Sequence, residues 1–204
     1  MLTIGLTGQS GAGKGTFSKA LLKYEGINCI DTDLTARSVV EKGKPALREL
    51  CEYFGNEILD EQGCLNRRKL ASIAFSDKEK HETLNRITHF HIMKEIKQWL
   101  SDAEKDGAKI AIIDAPLLFE SGADELCDIT IGITAPYDTR LERVMKRDGI
   151  DEKGARIRLD SQPGDDFFKE KCTYIVSNNS DEENLKSCAD KLLSELLNNI
   201  DAER

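Results

Sequence analysis

Short apolar runs recur along the chain, and between them the apolar residues shift to helical spacing. Five runs read as strands, at residues 2–6, 27–30, 109–113, 128–133 and 174–176. The third is nearly all apolar at Ile110-Ala111-Ile112-Ile113, as in a parallel strand covered on both faces. Helical spacing opens at Thr16 with Phe17, Ala20, Leu21 and Leu22, and Gly26 reads as the stop. It returns in Ala46, Leu47, Leu50, Cys51 and Phe54, which end at Gly55. Asn66 then caps a turn of helix that carries Leu70, Ile73, Ala74 and Phe75. A longer helix, capped by Ser76 or Asp77, runs through Leu84, Ile87, Ile92, Ile96, Trp99 and Leu100, and 102–107 form a polar turn. No strand pattern interrupts residues 45–100, so they read as a helical insertion. Pro136 opens a helix through Leu141 and Val144 to Arg147. Asp148-Gly149-Ile150 breaks it, and Asp151 caps a second helix that ends before Pro163-Gly164. Ser180 caps the closing amphipathic helix, apolar at Leu185, Cys188, Leu192, Leu193, Leu196 and Leu197. Strands alternating with helices predict an α/β sandwich on a five-stranded parallel sheet.

The break after the first strand is Gly8-Gln9-Ser10-Gly11-Ala12-Gly13-Lys14-Gly15-Thr16. Glycines at 8, 11 and 13 let successive backbone N–H groups turn inward around phosphate oxygens, and the following helix presents its positive end to them. Lys14 adds a mobile charge that reaches the β- and γ-phosphates. Gly11, Ala12, Gly13, Lys14, Gly15 and Thr16 are therefore the candidate residues for the phosphates of a nucleotide. The general motif G-x-x-x-x-G-K-[ST] puts a magnesium-binding hydroxyl directly after the lysine. Here Gly15 takes that place and the hydroxyl arrives on Thr16, so Mg²⁺ is expected to keep more of its waters.

Asp31 and Asp33 fall just beyond the second strand, at the sheet edge where α/β proteins place ligands. Either they only cap and turn the chain, Asp33 opening a helix at Leu34, or they deliver an acid toward the phosphate loop. Arg37, one helical turn on, is set to pair with that acid or with an anionic substrate. Asp114, directly after the central strand, stands where phosphate-loop proteins hold the magnesium shell. Leu117, Leu118 and Phe119 either line a pocket or plug the core, and Glu120 is close enough in sequence to join an active cleft. Arg140, Arg143 and Arg147 share one helical stripe, which suits bidentate grasp of phosphates; the bland alternative is solvated pairing with Asp138, Glu142 or Asp148. That helix, a turn and a second basic helix with Arg156 and Arg158 read as a hinged lid that expels water on closing. Asn178 and Asn179 end the last strand and can hydrogen-bond a purine; His89 either faces a cleft or packs between helices.

The formal charge of −8 argues against a nucleic-acid partner. It leaves a phosphorylated substrate open, because Arg67-Arg68-Lys69 and the later arginines form local basic clusters. Six cysteines without C-x-x-C spacing imply neither a zinc cage nor a disulfide framework, and fit a reducing compartment. No apolar run is long enough to cross a bilayer, and the chain starts without a basic-then-apolar leader. A cytoplasmic location, no membrane and no obligate protein partner are the expectations.

As ordered stretches, these residues resemble the dephospho-coenzyme A kinase family, within the P-loop nucleoside and nucleotide kinases. Asp31-Thr32-Asp33 followed by Ala36-Arg37 looks like the family's D-x-D-x-x-A-R segment. Asn66-Arg67-Arg68-Lys69-Leu70, with Phe75 beyond, resembles its R-R-x-L and I-F stretch. Pro116-Leu117-Leu118-Phe119-Glu120 matches its P-L-L-F-E run, Arg140 sits in its L-x-R helix, Gln162 falls at its lid glutamine, and Asn178-Asn179 resembles its N-N pair. Two features depart: Gly-Lys-Gly-Thr in the loop is the form seen in adenylate kinases, and Phe90 follows His89 where the family commonly has proline. The resemblance implies a P-loop kinase three-layer sandwich and ATP-dependent phosphorylation of the ribose 3′-hydroxyl of dephospho-coenzyme A. It implies that Asp33 accepts the hydroxyl proton, that Lys14, Arg140 and lid arginines hold ATP phosphates, Arg143 and Arg147 being the candidates among Arg143, Arg147, Arg156 and Arg158, and that Asn178 lies near adenine. Asp31, Arg37, Arg67, His89, Leu117 and Glu120 are the candidate acceptor-binding residues, and Thr16, Asp33 and Asp114 the candidates for Mg²⁺, directly or through water. The matching division is a nucleotide-binding core of 1–34, 107–137 and 167–204, a helical acceptor-binding region at 35–106 and a lid at 138–166. A nucleoside monophosphate kinase, favoured by Gly15-Thr16 alone, and a nucleotide-sensing module that hydrolyses ATP slowly or not at all are the rival readings.

Overall fold

A computed structural model describes residues 1–202. Leu2–Gly8 forms β1, the middle strand of a five-stranded sheet ordered β2-β3-β1-β4-β5. The others are β2 (Ile27–Asp31), β3 (Ile110–Asp114), β4 (Ile129–Thr134) and β5 (Tyr174–Ser177). β1 pairs in parallel with β3 and β4, and β4 with β5. The register sets Leu6 beside Asp114 and Gly8 beside Ile133, so the loop leaving β1 starts at the sheet edge where β3 delivers its acid. Each strand reaches past its apolar run into polar residues such as Thr7, Asp114 and Ser177. Ladder hydrogen bonds, not hydropathy, set where a strand stops.

The chain divides into two compact units, residues 1–29 with 103–204, and residues 30–102. In the first, α1 (Lys14–Leu21) and α9 (Glu182–Ala202) pack on the sheet. Phe17, Ala20 and Leu21 meet Leu185, Ala189 and Leu193 over Ile4, Leu6, Ile131 and Ile133. Phe17 is fully buried, which stabilises by about 1.5–3 kcal/mol and pins the first turn of α1 under the loop. α6 (Tyr137–Asp148) and α7 (Glu152–Asp160) form a hairpin with its own small core of Leu141, Val144, Ala155 and Leu159. Asp151 caps α7 as expected, accepting from the Gly154 amide at 2.8 Å. α8 (Asp165–Lys171) was not legible in the sequence: seven residues are too few for a helical period, and Phe168 is its buried anchor. At α9 the backbone N–H of Asn184 donates to Asp181 Oδ1 at 2.8 Å, so Asp181 takes the capping place expected of Ser180, whose hydroxyl accepts from the Asn184 side-chain amide at 2.7 Å.

The second unit holds α2 (Thr32–Ser38), α3 (Pro45–Phe54), α4 (Arg67–Ala74) and most of α5 (Lys78–Lys105). Val39, Val40, Leu50, Phe54, Ile58, Leu70 and Ile87 form its core. An antiparallel bridge between Leu59 and Leu65 closes the turn at 61–63. α5 is one unbroken 28-residue helix and continues to Lys105, into the expected polar turn at 102–107. Gln98 bonds Asp102 along the helix at 3.0 Å, and Ala103 is buried, so the last turns carry their own support.

Candidate active site

The loop after β1 closes on itself through Ala12 N donating to Gln9 O at 3.0 Å. Gly13, left-handed at φ 106°, ends it and caps α1. The helix therefore starts at Lys14, two residues earlier than the hydropathy pattern suggests. Lys14 Nζ forms an ion pair with Asp114 Oδ1. An ammonium suited to phosphate and a carboxylate suited to a hard cation thus share one end of the sheet. Thr16 is half-buried in the first turn, whereas Gly15 is exposed and a Cβ built there meets no atom within 4 Å. Among the described residues no cluster of three or more His, Cys, Asp or Glu side chains forms a metal cage.

Asn178, the candidate for a purine contact, is bonded to the loop itself. It is 4% exposed, and its Nδ2 donates to Ala12 O at 2.8 Å, so the amide braces the loop from below. Its Oδ1 is buried without a partner. A Cβ on Gly13 would lie 2.6 Å from Asn178 Nδ2 and 2.8 Å from Leu185 Cδ2. Gly13→Ala is therefore expected to destabilise the protein by about 2–4 kcal/mol, combining left-handed strain with overpacking. Thermal unfolding would show it, and an unchanged midpoint would refute the account.

The α6 arginines converge on the same loop. Arg143 Nη1 donates to Gly11 O at 3.2 Å and Arg147 Nη2 to Ser10 Oγ at 3.2 Å. Arg140 is 6% exposed; its Nε donates to Ala135 O at 3.0 Å, and its guanidinium lies 5.5 Å from the Tyr137 ring centre. Nη1 of Arg140 is buried with no partner, and burial lowers the pKa of the group. Pairing accounts for part of the stripe. Asp148 accepts from Arg147 Nε at 2.7 Å and from Arg158 Nη1 at 2.8 Å. The hydrogen bond from Arg147, and the charges of both arginines, hold its carboxyl below the usual range. Arg156 turns to Glu152. Beyond β3, Leu118 is fully buried and plugs the core, Phe119 packs edge-on to Phe167, and Leu117 and Glu120 are exposed.

In the second unit Asp31, not Asp33, caps α2, accepting from Asp33 N at 2.8 Å and Leu34 N at 3.1 Å. The helix begins at Thr32, and Asp33 stands exposed in its first turn. The cap fixes the backbone that presents Asp33. Arg67 Nη2 donates to Arg37 O at 3.3 Å, which sets two basic side chains at one spot on this unit. His89 is half-buried on α5, while His91 pairs with Glu49 at 3.0 Å. The contacts of Gln9, Ser10 and Gln162 around the loop left no signal in spacing, because their partners lie far along the chain.

A family model described as dephospho-CoA kinase matches residues 2–184. The chain is 41% identical over 200 residues to a dephospho-CoA kinase of Corynebacterium efficiens, covering 98% of this chain and 100% of the relative. It is 39% identical over 197 residues to one of Listeria innocua, covering 97% and 98%. The solved dephospho-CoA kinase from Campylobacter jejuni superposes with a TM-score of 0.72 at 26% identity, over 95% of this chain and 96% of that one. Shikimate kinase from Acinetobacter baumannii, at 17% identity and a TM-score of 0.54 over 98% and 94% of the chains, shares the fold. The chain belongs to the dephospho-CoA kinase family.

Proposed function

We propose that the loop between β1 and α1, with Lys14, Arg140, Arg143 and Arg147, holds the phosphates of ATP, and that Asp33 takes the proton of the acceptor hydroxyl. The reaction is that of the family. The chain transfers the γ-phosphoryl group of ATP to the ribose 3′-hydroxyl of dephospho-coenzyme A, giving coenzyme A and ADP, the last step of coenzyme A synthesis. The observation that carries the assignment is the convergence of Lys14, Arg143 and Arg147 on one glycine loop, beside a buried Arg140 with an unpartnered nitrogen.

The acceptor oxygen attacks the γ-phosphorus, its proton passes to the Asp33 carboxylate, and the bond to the β-phosphate oxygen breaks with its electron pair leaving on ADP. Lys14 and the arginines hold charge as it spreads over the transferred oxygens, and such positioning and charge stabilisation supply most of the rate in phosphoryl transfer. Thr16, Asp33 and Asp114 would hold Mg²⁺, in direct contact or through water, and the ion would supply positive charge to offset that of the phosphates. One or two carboxylates beside substrate phosphates is the donor set Mg²⁺ takes, so the residues fit it. Asp31, Arg37, Arg67, His89, Leu117 and Glu120 serve the acceptor, the Arg37–Arg67 spot suiting its diphosphate. Residues 35–106 act as the acceptor-binding region, 138–166 as the lid, and the enzyme works in the cytoplasm. No described helix is long and apolar enough to cross a membrane.

An acceptor screen tests the reading. ADP release is expected with dephospho-coenzyme A and not with AMP, GMP, CMP or UMP; turnover of a monophosphate in its place would overturn it. The open space at Gly15 supports a second test. Gly15→Ser restores a hydroxyl directly after the lysine and is expected to lower the Mg²⁺ concentration that gives half-maximal rate. An unchanged Mg²⁺ dependence would count against metal held mainly through water.

A further inference from the structure

The first half of the phosphate loop is tied to the return segment of the arginine hairpin. Just beyond α7, Gln162 Oε1 accepts from Ser10 N at 2.9 Å. The next residue, Pro163, offers its carbonyl to Gln9 Nε2 at 3.2 Å. Arg147 adds its bond to the Ser10 hydroxyl from the other arm of the hairpin. Two neighbours on one strand of chain thus meet two neighbours on the other. A two-point attachment fixes orientation as well as distance, where a single bond would leave a hinge. Pro163 stiffens its side, because its ring locks φ.

Gln9 is 4% exposed, and its Oε1 is buried without a partner. An amide kept in the interior at that cost points to a use for its donor. A loop held in its binding shape before the nucleotide arrives loses less freedom on binding.

We propose that Gln9 and Gln162 are positioning residues: together they latch the hairpin's return segment to the loop and set the loop's affinity for donor phosphates. The proposal rests on the assignment of this loop to ATP. Neither side chain touches the reacting atoms, so the latch acts on nucleotide affinity and leaves acceptor affinity alone.

The test uses the full-length enzyme with Gln9→Leu, Gln162→Leu and the double variant. Gln9→Leu keeps volume and removes the buried unpartnered oxygen together with the donor, so folding is not put at risk. Loss of a buried hydrogen bond is expected to raise the ADP Kd, measured by calorimetry, and the ATP KM by about 5- to 30-fold in each single variant. The dephospho-coenzyme A KM and the thermal midpoint stay at their wild-type values. The double variant is expected to be no worse than the weaker-binding single, because opening either bond opens the latch. Unchanged ADP affinity in both single variants overturns the proposal. So does a joint rise of both KM values with a fallen midpoint, which marks general damage. If the wild-type enzyme itself failed to bind ADP, the donor assignment would fall, a result distinct from intact binding that the variants leave untouched.

Discussion

Asp33→Asn is expected to lower kcat by roughly 10²- to 10⁴-fold, the scale on which a positioned acid or base contributes. ADP affinity is expected to stay at the wild-type value, because the donor phosphates are assigned to the loop, Lys14 and the α6 arginines. The change is close to isosteric and the cap of α2 does not depend on it, since Asp31 makes those bonds. Structural damage is therefore a poor explanation for any loss. Two roles for the carboxylate separate cleanly under varied Mg²⁺. If Asp33 mainly held the metal, raising Mg²⁺ would recover the rate; if it takes the hydroxyl proton, the deficit persists at saturating Mg²⁺. The second outcome is expected. A variant with undiminished kcat would remove Asp33 from the chemistry.

The sequence displays some parts of this enzyme and hides others for identifiable reasons. The loop is legible because cradling phosphate with backbone amides demands glycine at fixed offsets, and Gly11 and Gly13 do adopt left-handed conformations. The strands are legible because both faces of a parallel sheet are covered, which leaves Ile110 to Ile113 uniformly buried. Caps are read less well. Asp31 and Asp33, like Ser180 and Asp181, are equally good capping chemistry a residue or two apart, and backbone geometry chooses between them. Asn178 follows the last strand, which suggests a purine contact. Its amide also reaches Ala12 O, a contact that depends on how β5 and the loop stack and leaves no trace in spacing. The latch between Gln9-Ser10 and Gln162-Pro163 is hidden in the same way. Glutamine at both places is common surface chemistry until the fold brings them together.

Arg140 brings stability and function into opposition, and Arg140→Met exposes both. The methionine fills much of the same space without a charge. The bond to the Ala135 carbonyl is lost, a net cost of about 1 kcal/mol. Against it, the buried Nη1 no longer lacks a partner, and a guanidinium whose pKa burial has already lowered is no longer held out of water. The midpoint of thermal unfolding is expected to hold or to rise by about 2–4 °C, the shift that goes with about 1 kcal/mol in a chain of this size. Catalysis moves the other way. On the proposed role of Arg140 in holding the donor phosphates, losing its charge is expected to lower kcat/KM by roughly 10²- to 10³-fold. Arg140→Lys keeps the charge but not the planar fork, so it should recover only part of the rate. A stable, fully active Arg140→Met enzyme would leave the buried guanidinium without a catalytic reason. A variant that loses activity only because it unfolds would show that its burial serves the fold.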